Sequence, residues 1–183
     1  MIETSMIAGL WMGEGCLELH AAPYRETILG YRMYPRVHFT NTDGDLIQAF
    51  GDWLMANGIP KYCRHYYLPK NRINKCYIIT VSKWHSVLKF LDLVEPFLIG
   101  NKAHLVRLLR RAIAQSLFPI SRQGSKLPFE AQKERFMHLM RCREEMQQYY
   151  GNAGHSDHRR KYTLRFFEEL WDVHKVGVPV QRS

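Results

Sequence analysis

One apolar stretch near the start of the chain, Met6-Ile7-Ala8-Gly9-Leu10-Trp11-Met12-Gly13-Glu14-Gly15, constrains the fold more than any other part of the sequence. Ile7, Leu10 and Trp11 recur at i, i+3 and i+4 with no proline between them, which predicts a short helix over residues 6–13. Gly9 and Gly13 then stand one turn apart on one face of it. Two glycines inside two turns of helix cost about 1 kcal/mol each relative to alanine, a loss that makes sense where another backbone must come very close. Small residues at that spacing permit close contact between helices.

The end of this helix carries a second peculiarity. Gly15 suits a left-handed cap, but Glu14 places a negative charge on a helix C-terminus, where the dipole disfavours it by roughly 0.3 to 1 kcal/mol. A cation would reverse that penalty. Exposed carbonyls and a carboxylate make an all-oxygen set, the ligands that Mg2+ or Ca2+ prefers. Two such helices packed along their glycine faces would bring their carboxylates into one acidic site. The plainer reading of the same residues is a helix capped by Gly15 with Glu14 in water.

Residues 7–15, Ile-Ala-Gly-Leu-Trp-Met-Gly-Glu-Gly, resemble the signature nonapeptide of the LAGLIDADG homing endonucleases. The match is at Ala8, Gly9, Leu10 and Gly15, with conservative changes at Ile7, Gly13 and Glu14 and departures at Trp11 and Met12. The metal-binding acid of that family is the penultimate residue of the string, here Glu14.

Composition bounds the rest. A chain of 183 residues and 21.7 kDa is long enough for one well-buried core, so one domain with an appendage is the expectation. No run approaches the roughly 20 apolar residues needed to span a bilayer. The motif begins almost at residue 1, which leaves no room for a targeting peptide and predicts an intracellular product, in a prokaryotic cytoplasm or nucleoid or in an organelle matrix. Cys16, Cys63, Cys76 and Cys142 are far apart with no C-x-x-C spacing, so they read as reduced packing residues.

Net charge is +9, and its distribution matters more than its sum. Trp53 to Leu91 holds no Asp or Glu against Lys61, Arg64, Lys70, Arg72, Lys75, Lys83 and Lys89. Pro96 to Phe129 again holds none, against Lys102, Arg107, Arg110, Arg111, Arg122 and Lys126. Segregated positive charge with Tyr and His interleaved marks a polyanion binder, and without a basic amphipathic helix flanked by Trp or Phe it points to nucleic acid rather than membrane.

Beyond the motif, Leu17 and Leu19 alternate with Glu18 and His20 in a first strand that Pro23 ends. In the second strand Leu29, Tyr31, Met33, Val37 and Phe39 share one face and Arg32, Tyr34, Arg36, His38 and Thr40 the other. A strand pair of this kind fits the major groove, where base edges carry a full donor and acceptor code. Thr42 or Asp43 caps a helix carrying Leu46, Ile47, Phe50, Trp53 and Leu54, and Asn57-Gly58-Ile59-Pro60 stops it. Residues 62–68 and 75–81 read as a hairpin across the turn-rich 69–74, with either face open to solvent. Helices follow through Trp84 to Leu91 and Leu105 to Ala114. This order is α+β, a sheet shielded on one face by helices.

The resemblance implies the same order. The LAGLIDADG core is αββαββα, a saddle of four antiparallel strands that straddles DNA, and the pattern spans residues 1–118. Phe39-Thr40-Asn41-Thr42-Asp43 and Glu95-Pro96-Phe97-Leu98-Ile99-Gly100-Asn101-Lys102 are similar to two further family segments. Carried over, the family assigns Glu14 and the Gly13 carbonyl to divalent metal, Asn41 to ordering solvent at the scissile phosphate, and Lys102, or Asn101 by a shifted spacing, to water activation. Asp45 departs from a position that is often basic. Chemistry of this kind uses Mg2+ and positioned water and no side-chain nucleophile, with Ca2+ supporting binding alone. A chain with a single motif must pair with a second copy, Ala8, Gly9, Met12 and Gly13 forming the contact, and the dimer would read a near-palindromic site. The side chains expected on DNA are Glu18, His20, Arg32, Tyr34, Arg36, His38, Arg64, Tyr66, Lys70 and Arg72.

Residues 119–183 predict a helical extension packed on the core: a linker over 119–128, a charged helix over 129–149, a loop over 151–161 ending in Arg159-Arg160-Lys161, and a last helix over 162–174. His155 and His158 lack a third ligand nearby. An intron-encoded site-specific DNA endonuclease is thus the expected function. Its rivals are an RNA maturase acting on its own intron and a non-catalytic DNA-binding regulator on the same scaffold.

Overall fold

A computed structural model of the chain describes residues 2–68, 71–115, 127–149 and 161–172, for 64–68 and 71–74 the backbone alone. Lys70, the linker at 119–126 and the loop with His155 and His158 lie outside the described residues. The elements in order are α1 (Thr4–Glu14), β1 (Gly15–Pro23), β2 (Tyr31–Asn41), α2 (Gly44–Ala56), β3 (Tyr62–Leu68), β4 (Asn71–Val81), α3 (Trp84–Val94), α4 (Gly100–Gln115), α5 (Phe129–Gln147) and α6 (Leu164–Asp172). A 3-10 turn, Glu95–Phe97, joins α3 to α4. This is the α+β class with the αββαββα order expected, and the four strands form one antiparallel sheet in the order β1-β2-β4-β3. The chain gathers into two compact units, Met1–His20 with Met33–Arg111 and Ala21–Arg32 with Ala112–Ser183.

In the first unit the sheet is two-faced because the strands alternate. Leu17, Leu19, Val37, Phe39, Ile79 and Val81 are buried, and the register Val37↔Val81 and Phe39↔Ile79 lines them up across β2 and β4. Helices cover that face through aromatic contacts. Phe39 stacks on Phe50 of α2 at 4.4 Å between centroids, and Phe90 of α3 takes the ring edges of Trp11 at 5.2 Å and Trp53 at 6.1 Å. Ring pairs in these geometries add about 1 kcal/mol each to the area they bury.

The caps follow local chemistry. Asp43 starts α2, its carboxylate accepting the amides of Asp45 and Leu46. Gly58, at φ 63°, ends it with paired bonds from Gly58 to Met55 and Ile59 to Leu54. The hairpin turn is shorter than the composition suggests. β4 already begins at Asn71, opposite Leu68, with a register shift at Tyr67/Leu68 that absorbs the turn-forming residues into the strand.

Two expectations for α1 are corrected. Gly15 is not a left-handed cap: it sits at φ −93°, ψ 164°, extended as the first residue of β1, and its amide closes the last turn on the Trp11 carbonyl. Its missing side chain serves space instead, since a Cβ there would stand 1.9 Å from Trp11 Cδ1 and 2.5 Å from the Trp11 carbonyl oxygen. The buried stripe is Ile7, Ala8 and Trp11, not Ile7, Leu10 and Trp11. Ala8 is therefore fully enclosed by its own protomer and has no surface left for the interface expected of it.

In the second unit α5 and α6 enclose an aromatic core. Phe167 meets Phe136 at 4.6 Å, Trp171 at 5.1 Å and Tyr31, from the strand that leaves the hairpin turn, at 5.0 Å. Arg143 is buried, its guanidinium donating to the Tyr162 carbonyl at 2.6 Å, and Glu144 accepts the Leu164 amide where α6 begins. The cysteines described, Cys16, Cys63, Cys76 and Cys142, are free thiols.

Candidate active site and nucleic-acid interface

The last turn of α1 collects the groups that carry chemistry. Glu14 is exposed at the helix C-terminus. Gly9 and Gly13 lie exposed on the side of α1 away from Trp11, and an added Cβ at either would meet nothing within 4 Å. Met6, 59% exposed, and half-buried Met12 flank that bare surface. Nothing among the described residues of the protomer requires these glycines.

Lys102, in the first turn of α4, crosses to the same place. Its ammonium donates to the Gly15 carbonyl and stands 5.2 Å from the centroid of the Trp11 ring. Burial pushes its pKa below the usual lysine value, against a smaller opposing pull from Cys16. Asn101, the alternative by spacing, is exposed.

The donors fit a hard divalent cation in kind: a carboxylate at a helix end whose carbonyls carry partial negative charge. They fall short in number. Among the described residues no group of three or more His, Cys, Asp or Glu stands together where one chain alone would enclose a metal.

The open face of the sheet carries a polar network centred on Glu18. Its carboxylate lies 3.0 Å from His38 Nε2, 3.7 Å from Arg36 and 3.9 Å from His20. His38 is held on its other side by Thr80 Oγ1 at 3.0 Å, its partner across the ladder. Arg36 donates to the Tyr34 hydroxyl at 2.8 Å, and Tyr34 meets His20 edge-on at 5.3 Å. Expected as separate readers of DNA, Glu18, His20, Tyr34, Arg36 and His38 are one cross-linked patch. Both ring nitrogens of His38 are occupied within the protein. Charge–charge contacts of this kind fix geometry more than they stabilise, because each side chain keeps partial access to water.

The remaining expected residues are placed as follows. Asn41 ends β2 with Oδ1 accepting the Asp43 amide at 2.8 Å, which leaves its amide nitrogen as the group able to donate elsewhere. Asp45 is exposed in the first turn of α2. Arg32 belongs to the second unit, its guanidinium over the Tyr24 ring at 4.3 Å. Arg64 and Tyr66 stand opposite Ile78 and Cys76 in the β3–β4 ladder, and Arg72 lies at the start of β4. The side chains of these three, like Lys70, are outside the described residues. Sequence reasoning missed Thr80, whose strand shows no clear alternation, and the placement of Trp11 beneath Lys102, for which the departure at position 11 was the only signal.

No protein-family profile and no curated protein sequence matches the chain. Solved structures do. The archaeal intron-encoded homing endonuclease I-Vdi141I, complexed with DNA, is 18% identical with a TM-score of 0.67, over 95% of this chain and 97% of that one. The homing endonuclease I-CvuI, bound to the I-CreI target with 2 mM Mg and the DNA not cleaved, is 13% identical with a TM-score of 0.65, over 97% and 96%. The LAGLIDADG homing endonuclease I-LtrWI, bound to target DNA, is 16% identical with a TM-score of 0.56, over 86% of this chain and 47% of that one. No helix among the described residues is long and apolar enough to cross a membrane. From helix order, sheet order and these likenesses together, the chain has the LAGLIDADG homing endonuclease fold, at the length of its single-domain members.

Proposed function

We infer that this protein is a site-specific double-stranded DNA endonuclease that works as a homodimer and uses divalent metal, Mg2+ in preference. The observation that carries this reading is the pair of exposed glycines, Gly9 and Gly13, in a helix where the described residues of the protomer give them no neighbour. Their cost in helix stability is recovered when a second copy of α1 packs against them. Two Glu14 carboxylates and the Gly13 carbonyls then meet at one point, a set that would hold hard cations at the centre of a two-fold assembly. Metal held there supplies Lewis-acid stabilisation of the attacked phosphate and an activated water.

The chain's own residues do the rest. The Asn41 amide orders solvent at the phosphate, and the Lys102 ammonium meets developing negative charge. Half-sites of a near-palindromic target fall on the two sheet faces, where the Glu18 network holds His20, Tyr34, Arg36 and His38 in fixed positions, and Arg32, Arg64, Tyr66, Lys70 and Arg72 supply further contacts. The extension beyond residue 118 adds phosphate contacts. Ca2+ supports binding without cutting.

The direct test is cleavage of a randomised duplex library with magnesium and with EDTA. One enriched, cut site in magnesium alone supports the reading, and no cut site overturns it. Two further outcomes follow. Gly9→Leu leaves the protomer folded, because its side chain enters open space, yet weakens self-association by about 100-fold, the effect of ~2.7 kcal/mol of interface overpacking. Sedimentation equilibrium reads this, and an unchanged dimer would remove the role given to the glycines. Affinity for the duplex falls roughly 1,000-fold or more between 50 and 200 mM salt as phosphate contacts release counterions. A flat response measured by fluorescence anisotropy excludes the basic sheet face as the DNA surface.

A further inference from the structure

The residue at position 11 separates this chain from the string it resembles, and the structure shows what it touches. Trp11 has no exposed surface. One edge of its ring meets Phe90, Gly15 is bare where any Cβ would strike the ring, and the Lys102 ammonium lies 5.2 Å from the ring centroid. A residue chosen only to fill this space would be phenylalanine or leucine. Trp11 instead buries its indole Nε1–H with no acceptor among the described residues. An unpaired buried donor is unfavourable, so the ring must contribute something a smaller one does not. What indole offers best is a π-face for a cation.

Lys102 needs such a face. It is half-buried, and among the described residues it meets an uncharged carbonyl and the indole and feels a smaller electrostatic pull from Cys16, with no carboxylate paired to it. A cation arranged in this way is held in place while its charge stays available to an incoming anion.

We propose that Trp11 is a positioning residue of the cleavage site: its indole face seats the Lys102 ammonium on the Gly15 carbonyl, one residue past Glu14, and so fixes where a phosphodiester meets positive charge. This rests on the nuclease reading for its function but not for its geometry. Gly15 is the third part of the device, since only a residue without a side chain lets the ring lie across the helix end with its carbonyl still open to the lysine.

The test uses the full chain with Trp11→Leu, Trp11→Phe, Lys102→Met and the Leu/Met double variant. In protein labelled with 13C-lysine, without DNA or metal, the Lys102 ε-protons resonate upfield because they lie over the ring. The shift persists in part in Trp11→Phe and vanishes in Trp11→Leu, and loss of the signal in Lys102→Met assigns it. On DNA with magnesium, Trp11→Leu lowers the single-turnover cleavage rate by at least about tenfold, as displaced catalytic groups do, with Kd in calcium unchanged. Trp11→Phe recovers most of that loss. In the Lys102→Met background Trp11→Leu changes the rate less than about twofold, because both act through one cation. An ordinary chemical shift for Lys102, or multiplicative losses in the double variant, overturns the proposal. Wild-type protein with the upfield shift that cuts no DNA refutes the nuclease reading and leaves the seat standing. Wild-type protein that cuts with Lys102 at an ordinary shift does the reverse.

Discussion

Glu14→Gln is expected to stop DNA cleavage while leaving fold and DNA affinity intact. Glu14 is exposed at the C-terminus of α1, so among the described residues no buried partner depends on its charge. The amide is nearly isosteric and removes a charge that the helix end disfavours, so the melting temperature stays level or rises slightly. A neutral amide is a far poorer ligand for a hard cation than a carboxylate. In a dimer the substitution strikes twice, once from each copy. The expected loss in single-turnover rate is about 1,000-fold or more, ~4 kcal/mol of transition-state stabilisation. Binding in calcium is unchanged or tighter, because a negative charge facing a polyanion is gone. Rate and anisotropy measured on one preparation decide it, and cutting at the wild-type rate by the variant would refute the metal role.

The second large effect is on stability. Gly15→Ala adds one methyl group at the spot where the Trp11 ring and carbonyl already stand, 1.9 and 2.5 Å away. The ring cannot withdraw: it is fully buried and braced by Phe90. Relief requires bending the junction between α1 and β1 or rotating Trp11 off its rotamer, and overpacking of this severity costs about 3 kcal/mol. For a chain of this size that lowers Tm by roughly 6 to 12 °C. Gly13→Ala, in the same helix with open space around it, is the control and leaves the isolated protomer equal or more stable. Combining Gly15→Ala with Trp11→Leu restores only part of the loss, since it removes the ring but leaves the backbone carbonyl of residue 11 at 2.5 Å from the added carbon. Calorimetry showing Gly15→Ala as stable as wild type would mean that the ring is not where the structure has it.

The contrast between Gly13 and Gly15 shows how far the sequence could be read. Both are glycines of one motif, and the wastefulness of Gly9 and Gly13 in a helix is visible from propensity alone. The reason for Gly15 is not, because it lies in the direction taken by a ring four residues earlier once α1 has docked on α3. A left-handed cap was the natural expectation, and an extended residue under a packing constraint is the outcome. Ala8 teaches the same lesson: it reads as part of a small-residue face, and only its rotation toward the core shows that the open row is Gly9 and Gly13.

What the chain determines locally, it announced. The alternation of β1 and β2 is a period-two signal that survives any tertiary context in which one face is buried, and Asp43 and Gly58 cap α2 through bonds to residues within a few positions of themselves. What only tertiary structure decided are meetings across long separations: Lys102 with Gly15, 87 residues apart, and His38 with Thr80, 42 apart. Period and propensity fix which way a side chain points from its own element. They carry no information about which distant group arrives opposite it, because that depends on sheet order and helix docking, which are settled by burying the whole core at once.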